Sequence, residues 1–246
     1  MTRWPYPRWF AHRGAGRLAP ENTLAAFREG ARHGWRAFEC DVKLSADGVP
    51  FLLHDATLER TTDGRGLAAT LCWSDLSRLD AGGWHSRGFA GEPPASLAAI
   101  AAFVRGNGFT LNIEVKPTPG HERETGEVVA EHAVRLWHGA AVPPLLSSFQ
   151  PAALEGARAR APQLPRALLL DALHDGWLEQ ARALGCVAVV AMYALLDATV
   201  VARVHGAGMR ALAYTVNDPS VAAWLTDNGV DAQISDAVDR FSPAGD

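Results

Sequence analysis

The stretch FECDVK, residues 38–43, indicates how the rest of the chain is organised. A β-strand directs alternate side chains to opposite faces, so Glu39, Asp41 and Lys43 lie on one face and Cys40 and Val42 on the other. Two carboxylates and an ammonium group on one face are not typical of a hydrophobic core. We therefore predict a strand whose polar face lines a functional pocket.

The residues that follow this strand predict an antiparallel hairpin. The Asp-Gly pair at positions 47–48 is a two-residue turn that is typical of hairpins and too short for a parallel crossover. If Ala46 faces Val49 across this turn, then Asp41 faces His54. This register is a hypothesis that places a histidine beside the acidic pair.

A second predicted strand, TLNIEVK at residues 110–116, has a polar face of the same kind. It alternates strictly, with Asn112, Glu114 and Lys116 on one face and apolar residues on the other. A third short strand, at residues 9–13, ends in a His-Arg pair. One pocket is therefore expected to hold two imidazoles, two or more carboxylates and an arginine.

Bulk composition argues against several classes of protein. The chain has 246 residues, 48% of them hydrophobic, which is enough for one large core. Acidic residues outnumber basic ones by 27 to 23, so there is no electrostatic case for a nucleic acid or an anionic membrane as partner. Three scattered cysteines suit neither a disulfide framework nor a cysteine metal site. No apolar run has the length of a signal peptide core or a transmembrane helix, so we expect a cytoplasmic protein without a membrane span. No oligomeric state is predicted.

Strand-like and helix-like segments alternate along the chain. Strands are predicted at residues 9–13, 37–44, 110–116, 144–149, 166–170, 186–191, 210–216 and 232–235. Helices are predicted between them at residues 24–33, 97–105, 122–137, 151–161, 175–184, 198–205 and 219–227. About eight such units in a chain of this length are typical of a TIM (β/α)8 barrel, with a doubly wound sheet as the alternative. We predict one α/β barrel domain over residues 1–246, with a small insertion after the second strand at about residues 61–94 that covers one mouth.

A barrel would gather these polar groups at one place. Catalytic groups of this architecture lie at the C-terminal ends of the strands, and most of the polar residues named above come late in their strands. Three carboxylates, Glu39, Asp41 and Glu114, suit a hard divalent cation such as Mg²⁺ or Ca²⁺ better than zinc. Once a cation neutralises the carboxylates, Arg13 and Lys116 are free to bind an anionic substrate.

Two other functions are disfavoured. The segment GAGRLA, residues 14–19, matches a dinucleotide-binding fingerprint after a strand. In that motif the helix opens at the second glycine, whereas residues 20–23, Pro-Glu-Asn-Thr, predict a turn and a cap before a helix that begins later. Residues 147–149, Ser-Ser-Phe, lack the Gly-x-Ser-x-Gly elbow of a serine hydrolase.

Taken in order, these motifs resemble the glycerophosphodiester phosphodiesterase family, and within it the bacterial cytosolic members that are associated with glycerol 3-phosphate import. The matching segments are HRG at 12–14, PENT at 20–23, ECD at 39–41, DG at 47–48, HD at 54–55, LERTT at 58–62, EVKP at 114–117, SSF at 147–149 and YTVN at 214–217. The resemblance covers nearly the whole chain.

The resemblance implies a TIM barrel, an insertion after its second strand and a divalent cation, Mg²⁺ or Ca²⁺, at Glu39, Asp41 and Glu114. The two catalytic histidines of the family match His12 and His54. Implied substrates are glycerophosphocholine, glycerophosphoethanolamine and related deacylated phospholipids, which give glycerol 3-phosphate and an alcohol.

The resemblance also implies roles around the substrate. Arg13 and Lys116 match positions that contact phosphate or order the site. Tyr214, late in its strand, is expected to stack on substrate, although the family often has Trp there and an aromatic residue where His85 follows Trp84. These two departures leave the substrate range open.

The expected mechanism follows from charge. Negative charge on a phosphodiester rises as the nucleophile adds, so a cation with Arg13 and Lys116 would stabilise it while two imidazoles transfer protons. We assign the base to His12 and the acid to His54. The nucleophile is either water or the neighbouring glycerol hydroxyl, the latter by way of a cyclic phosphate.

Two alternatives on the same fold remain. A lysophospholipase D or a phospholipase C-like enzyme would need an apolar lip for lipid, and Trp73, Trp84 and Phe89 are the aromatic residues available for one. A non-catalytic barrel that only binds its ligand is the second alternative, and the complete set of histidines and acids argues against it.

Overall fold

The computed structural model describes residues 4–243. The strands within this range are β1 (Trp9–Ala11), β2 (Ala37–Leu44), β3 (Pro50–Leu52), β4 (Thr110–Val115), β5 (Leu145–Ser148), β6 (Arg166–Leu170), β7 (Ala188–Met192), β8 (Arg210–Tyr214) and β9 (Ala232–Ser235). The helices are α1 (Leu24–Arg32), α2 (Trp73–Leu76), α3 (Leu97–Gly106), α4 (Glu122–Leu136), α5 (Pro151–Arg160), α6 (Trp177–Ala183), α7 (Ala198–Gly206) and α8 (Pro219–Asp227).

Eight parallel strands close into a barrel, and β3 stands outside the ring. The ring runs β1-β2-β4-β5-β6-β7-β8-β9, and β9 pairs back onto β1 through three residue pairs. The predicted TIM (β/α)8 fold is confirmed. The doubly wound alternative is wrong, because such a sheet stays open.

One edge of β2 serves two strands. Its first half pairs with β1, where Ala11 lies opposite Phe38, and its second half pairs antiparallel with β3, where Val42 lies opposite Leu52. The other edge of β2 pairs with β4 over six residue pairs. The hairpin is therefore attached to the barrel without interrupting its closure.

The predicted register of this hairpin is wrong by one residue. Val49 accepts a backbone hydrogen bond from Ser45 at 3.1 Å, so the loop contains the three residues 46–48 and not two. Gly48 has a φ of 77°, the left-handed conformation that ends a three-residue hairpin loop. The amide of Ala46 donates to the carbonyl of Leu71 at 2.9 Å, a distant contact that holds it out of the ladder.

The corrected register changes the position of His54. The amide that donates to the carbonyl of Asp41 belongs to Leu53, at 3.1 Å, so His54 is the next residue along and lies past the end of β3. Lys43 lies opposite Phe51. His54 nevertheless reaches the same mouth of the barrel as the acidic residues, as described below.

The barrel interior is apolar on one side and polar on the other. An apolar cluster inside the ring is formed by alternate residues of β1 and of β5 to β9, among them Phe10, Leu169, Val190 and Ile234. Ala37 at the start of β2 belongs to this cluster. Alternation along β2 therefore turns Glu39 and Asp41 to the interior as well.

Helix α1 begins where the cap residues predicted it. The hydroxyl of Thr23 accepts a hydrogen bond from the amide of Ala26 at 3.2 Å, which satisfies one free donor of the first turn. The helix starts at Leu24, well after the glycines at positions 14 and 16. Those glycines serve packing instead, since a Cβ on Gly16 would collide with the backbone of Asp236.

The segment between β3 and α3 has little regular structure. It contains α2 and two 3-10 turns at residues 68–70 and 87–89. A small apolar cluster that includes Phe51, Leu58 and Leu76 holds its first part against the barrel. Within residues 4–243 no helix has both the length and the apolar character that crossing a bilayer requires.

Candidate active site

The predicted site residues meet at the C-terminal mouth of the barrel. A cavity of about 160 Å³ opens there, and its polar lining includes His12, Arg13, Glu39, His54, Glu114 and Lys116. Tyr214 also lines it. Asp41 is fully buried and contacts two of the lining residues, Arg13 and Lys116. We call this the catalytic cavity.

Three carboxylates face one another beneath this cavity. Asp41 and Glu114 are direct partners across β2 and β4, and one oxygen from each of Glu39, Asp41 and Glu114 lies within 4.8 Å of the others. Burial and the charge of Asp41 raise the pKa of Glu39 to about 8 and that of Glu114 to about 7. Like charges held this close repel unless a cation or protons intervene.

The carboxylates fit a hard divalent cation. One oxygen of Glu39 (Oε1) and one of Asp41 (Oδ1) are buried without a hydrogen-bond partner among the described residues. Buried polar atoms are normally satisfied, so these two oxygens are available as ligands. A set of oxygen donors of this kind suits Mg²⁺ or Ca²⁺.

Asp41 is the best anchored of the three acids. The side-chain amide of Asn22 donates to Asp41 Oδ2 at 2.8 Å, and Asn22 Oδ1 accepts from the Asp41 backbone amide at 3.1 Å. Arg13 Nε lies 3.2 Å from Oδ2, and Lys116 Nζ lies 3.7 Å from Oδ1. Burial alone would raise the pKa of Asp41, but these two cations hold it below its ordinary value. Asp41 is therefore an anion that is fixed in place.

His12 is oriented by a carboxylate that sequence reasoning missed. Its Nδ1 lies 2.6 Å from Asp236 Oδ1, and its Nε2 lies 3.7 Å from Glu39 Oε2. Asn217 in turn holds Asp236, since it donates to Oδ2 at 3.1 Å and accepts from the Asp236 amide at 2.8 Å. Burial lowers the pKa of His12, but the hydrogen bond to Asp236 and the charge of Glu39 outweigh burial and raise it.

His54 has a different environment. Its Nδ1 lies 2.7 Å from Asp55 Oδ1, and Asp55 also binds Arg60, whose Nε donates to Oδ2 at 2.5 Å. The pKa of His54 is lowered, mainly by burial and further by the charge of Arg13, although Asp41 opposes the change. The two imidazoles thus differ in the direction of their pKa shifts.

The backbone around the cavity is strained at two residues. Arg13 and Asn22 have φ values of 51° and 60°, which are uncommon for residues other than glycine. The strain serves the site, because the Arg13 amide donates to Glu39 Oε2 at 3.0 Å and Asn22 reaches back to Asp41. Strain of this kind persists where the surrounding contacts fix the conformation.

Both predicted phosphate-binding cations are paired with acids. Arg13 Nη1 donates to Glu21 Oε1 at 2.8 Å, and Lys116 Nζ donates to Glu114 Oε1 at 3.0 Å. A cation among the carboxylates would compete for Glu114 and Asp41, so it would leave Lys116 and the Nε group of Arg13 available to an anion, while Arg13 keeps its bond to Glu21.

Tyr214 closes the apolar side of the cavity. Its hydroxyl donates to the carbonyl of Leu170 at 3.2 Å, and its ring lies edge-on to Phe149 with the centroids 5.8 Å apart. Both rings line the cavity. This position suits contact with a substrate carbon chain.

The aromatic residues that could have formed a lipid-binding lip do not act together. Trp73 packs against Phe51, with centroids 6.1 Å apart, and Phe89 packs against His85 at 5.4 Å. Only Trp84 of the three is largely exposed, at 42%. The described residues therefore offer no continuous apolar patch at this place.

Asp236, Asn217 and Asn22 were not predicted from sequence. The signal for Asp236 was available, because it directly follows β9 and so lies at the same mouth as the other strand ends. Asn22 had no such signal, since its role depends on its left-handed backbone conformation.

Comparisons with known proteins show the family to which the chain belongs. A family model described as the glycerophosphoryl diester phosphodiesterase family matches residues 12–240. A glycerophosphodiester phosphodiesterase of Caldanaerobacter subterraneus subsp. tengcongensis is 32% identical over 172 residues, which cover 68% of each chain.

Solved structures are similar over most of their length. A phosphodiesterase of Oleispira antarctica, in complex with the product sn-glycerol-3-phosphate, has a TM-score of 0.88 and 35% identity and covers 94% of both chains. A glycerophosphodiester phosphodiesterase of Agrobacterium tumefaciens has a TM-score of 0.82 and 29% identity, with 96% of this chain and 99% of that chain covered.

Proposed function

Since this chain belongs to the glycerophosphoryl diester phosphodiesterase family and has that activity, we propose that its reaction depends on a divalent cation, Mg²⁺ or Ca²⁺, and on two histidines. Its proposed substrates are small glycerophosphodiesters such as glycerophosphocholine or glycerophosphoethanolamine, which give glycerol 3-phosphate and an alcohol. The product bound to the Oleispira antarctica relative supports this substrate class.

One observation carries the proposal. Three carboxylates with oxygens within 4.8 Å of one another lie in the same cavity region as two imidazoles, and each imidazole is bound to its own carboxylate. A structural ion-pair network would satisfy its buried oxygens, whereas Glu39 Oε1 and Asp41 Oδ1 accept no hydrogen bond from the described residues.

The chain's own residues divide the work. A cation held by Glu39, Asp41 and Glu114 would supply Lewis-acid stabilisation of charge on the phosphoryl oxygens. Arg13 and Lys116 bind the same anionic group, and Tyr214 contacts the carbon chain of the glycerol. Asn22 keeps Asp41 in place, and Asp236 keeps His12 in the orientation that directs Nε2 towards Glu39.

Two imidazoles at one cavity suit the two proton transfers of the reaction. His12 Nδ1 lies 2.6 Å from Asp236 Oδ1, and His54 Nδ1 lies 2.7 Å from Asp55 Oδ1, so a carboxylate orients each ring. We propose that His12 and His54 divide the transfers between them, one as the base for the nucleophile and the other as the acid for the leaving alcohol, each worth about 10²- to 10⁴-fold in rate. The assignment made from sequence, with His12 as the base and His54 as the acid, stays a prediction.

An activity assay tests the proposal. Purified protein is incubated with glycerophosphocholine or glycerophosphoethanolamine and with Mg²⁺, Ca²⁺ or a chelator, and glycerol 3-phosphate is measured. Release with at least one cation and none with chelator is the expected result. Absence of release under every condition would reject the assignment, and a trapped cyclic glycerophosphate would identify the glycerol hydroxyl as nucleophile.

We also propose a single barrel domain over residues 1–246 and a cytoplasmic location. Cys40, Cys72 and Cys186 are all free thiols, and this supports a reducing compartment. Cell fractionation tests the location.

A further inference from the structure

A second cavity meets the catalytic cavity at His12 and Arg13, the two residues that line both. Its volume is about 360 Å³, compared with 160 Å³ for the catalytic cavity. Its other walls include Arg17 in the loop between β1 and α1 and Trp84 in the segment between β3 and α3. We call it the outer cavity.

We propose that the outer cavity binds the alcohol arm of the substrate, and that it favours an uncharged, hydroxyl-rich alcohol such as inositol or glycerol over a quaternary ammonium such as choline. This inference rests on the proposed function.

The position of the two shared residues carries the first step. A phosphodiester has two ester arms, and Arg13 and His12 are the residues proposed to bind its phosphate and to take part in proton transfer beside it. A phosphate placed against them directs one arm into each cavity. Strand residues and strand ends form much of the catalytic cavity, which suits the constant glycerol arm, whereas loops form much of the outer cavity, which suits a variable arm.

Charge carries the second step. Both carboxylates in the outer cavity are already bound: Glu21 accepts from Arg13 and Arg60 at 2.8 Å, and Asp236 binds His12 at 2.6 Å. The exposed guanidinium of Arg17 forms no ion pair within residues 4–243. An ammonium group would therefore meet a cation without a free counter-charge, while hydroxyl groups can accept hydrogen bonds from the guanidinium.

Trp84 supplies the apolar wall. Its indole Nε1 donates to the carbonyl of Ala81 at 2.8 Å, and its ring lies edge-on to His85 with the centroids 5.6 Å apart. His85 Nε2 in turn lies 3.1 Å from the carbonyl of Arg17. These contacts fix the indole over the loop while 42% of the residue stays exposed. A single aromatic ring suits contact with the C–H groups of a polyol. A choline site, in contrast, normally surrounds the quaternary ammonium group with several aromatic rings.

Three substrates that share glycerol phosphate and differ in their alcohol arm test whether the outer cavity binds that arm. They are glycerophosphoinositol, glycerophosphocholine and the methyl ester of glycerol 3-phosphate, which has no group to fill the outer cavity. We expect wild-type kcat/KM to be higher for the inositol than for the choline substrate. Trp84→Ala should lower kcat/KM for glycerophosphoinositol by about 3- to 10-fold, and the methyl ester should be affected least.

Two further variants isolate the two contacts. Arg17→Ala should reduce the preference for inositol over choline, and Trp84→Phe, which keeps a ring, should retain most of the activity on glycerophosphoinositol. Matched controls are Trp224→Ala, where the tryptophan in α8 is 44% exposed, and Arg28→Ala on α1, since neither residue lines either cavity.

The possible results are distinct. Equal losses on all three substrates, or no loss on any, would overturn the assignment of the outer cavity. A wild-type preference for glycerophosphocholine would overturn its proposed selectivity. Wild-type protein that releases glycerol 3-phosphate from none of the three would reject the proposed function itself and, with it, this inference.

Discussion

The two ends of the barrel both carry charged groups that are buried or half-buried, but they differ in how those charges are paired. At the N-terminal end, Arg166 donates to four backbone carbonyls, and Asp231 is bound by His205 at 2.8 Å and by Arg210 at 2.7 Å. At the C-terminal end, Glu39 and Asp41 each keep one buried oxygen that accepts no hydrogen bond from the described residues.

This difference in pairing suggests different roles: the charged residues at the N-terminal end stabilise the fold, and those at the C-terminal end are proposed to serve the reaction. A buried charge contributes to stability only when its hydrogen-bonding capacity is satisfied. The N-terminal end meets that condition. The C-terminal end does not, and we infer that its stability is completed only when cation and substrate bind there.

Removal of either imidazole at the C-terminal end should have the largest effect of all on activity. We expect His12→Ala and His54→Ala each to lower kcat by about 10²- to 10⁴-fold, because each removes a proton-transfer group. The melting temperature should change little, since both side chains border a cavity. His121→Ala, at a histidine that is 63% exposed on the surface, is the control. A kcat within tenfold of wild type in either variant would contradict the proposed roles.

Substitution of Asp236 should have an intermediate effect at the same end. Asp236→Asn keeps the shape but removes the charge that binds His12 Nδ1. A hydrogen bond to a charged group is worth about 1.5–3 kcal/mol, so kcat should fall by about 10- to 150-fold. The loss should appear in kcat more than in KM. Asp239→Asn, at an exposed aspartate nearby, is the control.

The same substitution at the other end should act on stability alone. Asp231→Asn weakens the bonds to His205 and Arg210, so the free energy of unfolding should fall by about 1.5–3 kcal/mol. Steady-state kinetics with a glycerophosphodiester should be unchanged. If denaturant unfolding shows no loss, or if kcat falls as it does for Asp236→Asn, the two ends are not functionally distinct.

The smallest expected effect, per unit of pH, is a change in how stability depends on pH. Burial raises the pKa of Glu39 from 4.5 to about 8, so between these values the folded protein holds a proton that the unfolded chain has lost. The cation-free wild type should therefore lose stability as pH rises through this window, by at most about 1.4 kcal/mol per pH unit for this proton. Glu39→Gln should flatten that slope in chelator. An unchanged slope in denaturant unfolding would show that Glu39 titrates normally.

Much of the fold was predictable because alternation and helical period report burial directly. The strands β2, β6 and β9 begin and end at the predicted residues, and so does helix α8. The start of β7 was predicted two residues too early, because the amide of Cys186 bonds to Ala181 and so belongs to the end of α6.

The hairpin and part of the site were not predictable in the same way. The register depends on the bond from Ala46 to Leu71, a contact between segments that no local pattern reports. Glu39, Asp41 and Glu114 stand on long alternating strands, so their common face could be predicted. Asn22 lies in a loop, where side-chain direction follows from backbone conformation and not from a period.

The divided edge of β2 has a consequence for how this enzyme can change over evolutionary time. Because β3 uses only the half of that edge that β1 leaves open, the segment beyond it is joined to the ring without contributing hydrogen bonds to closure. Insertions, deletions or replacement beyond Asp55 would leave the proposed cation ligands and both imidazoles on an intact scaffold. New head-group preferences can then arise when this one segment is replaced, while the residues proposed for catalysis stay the same.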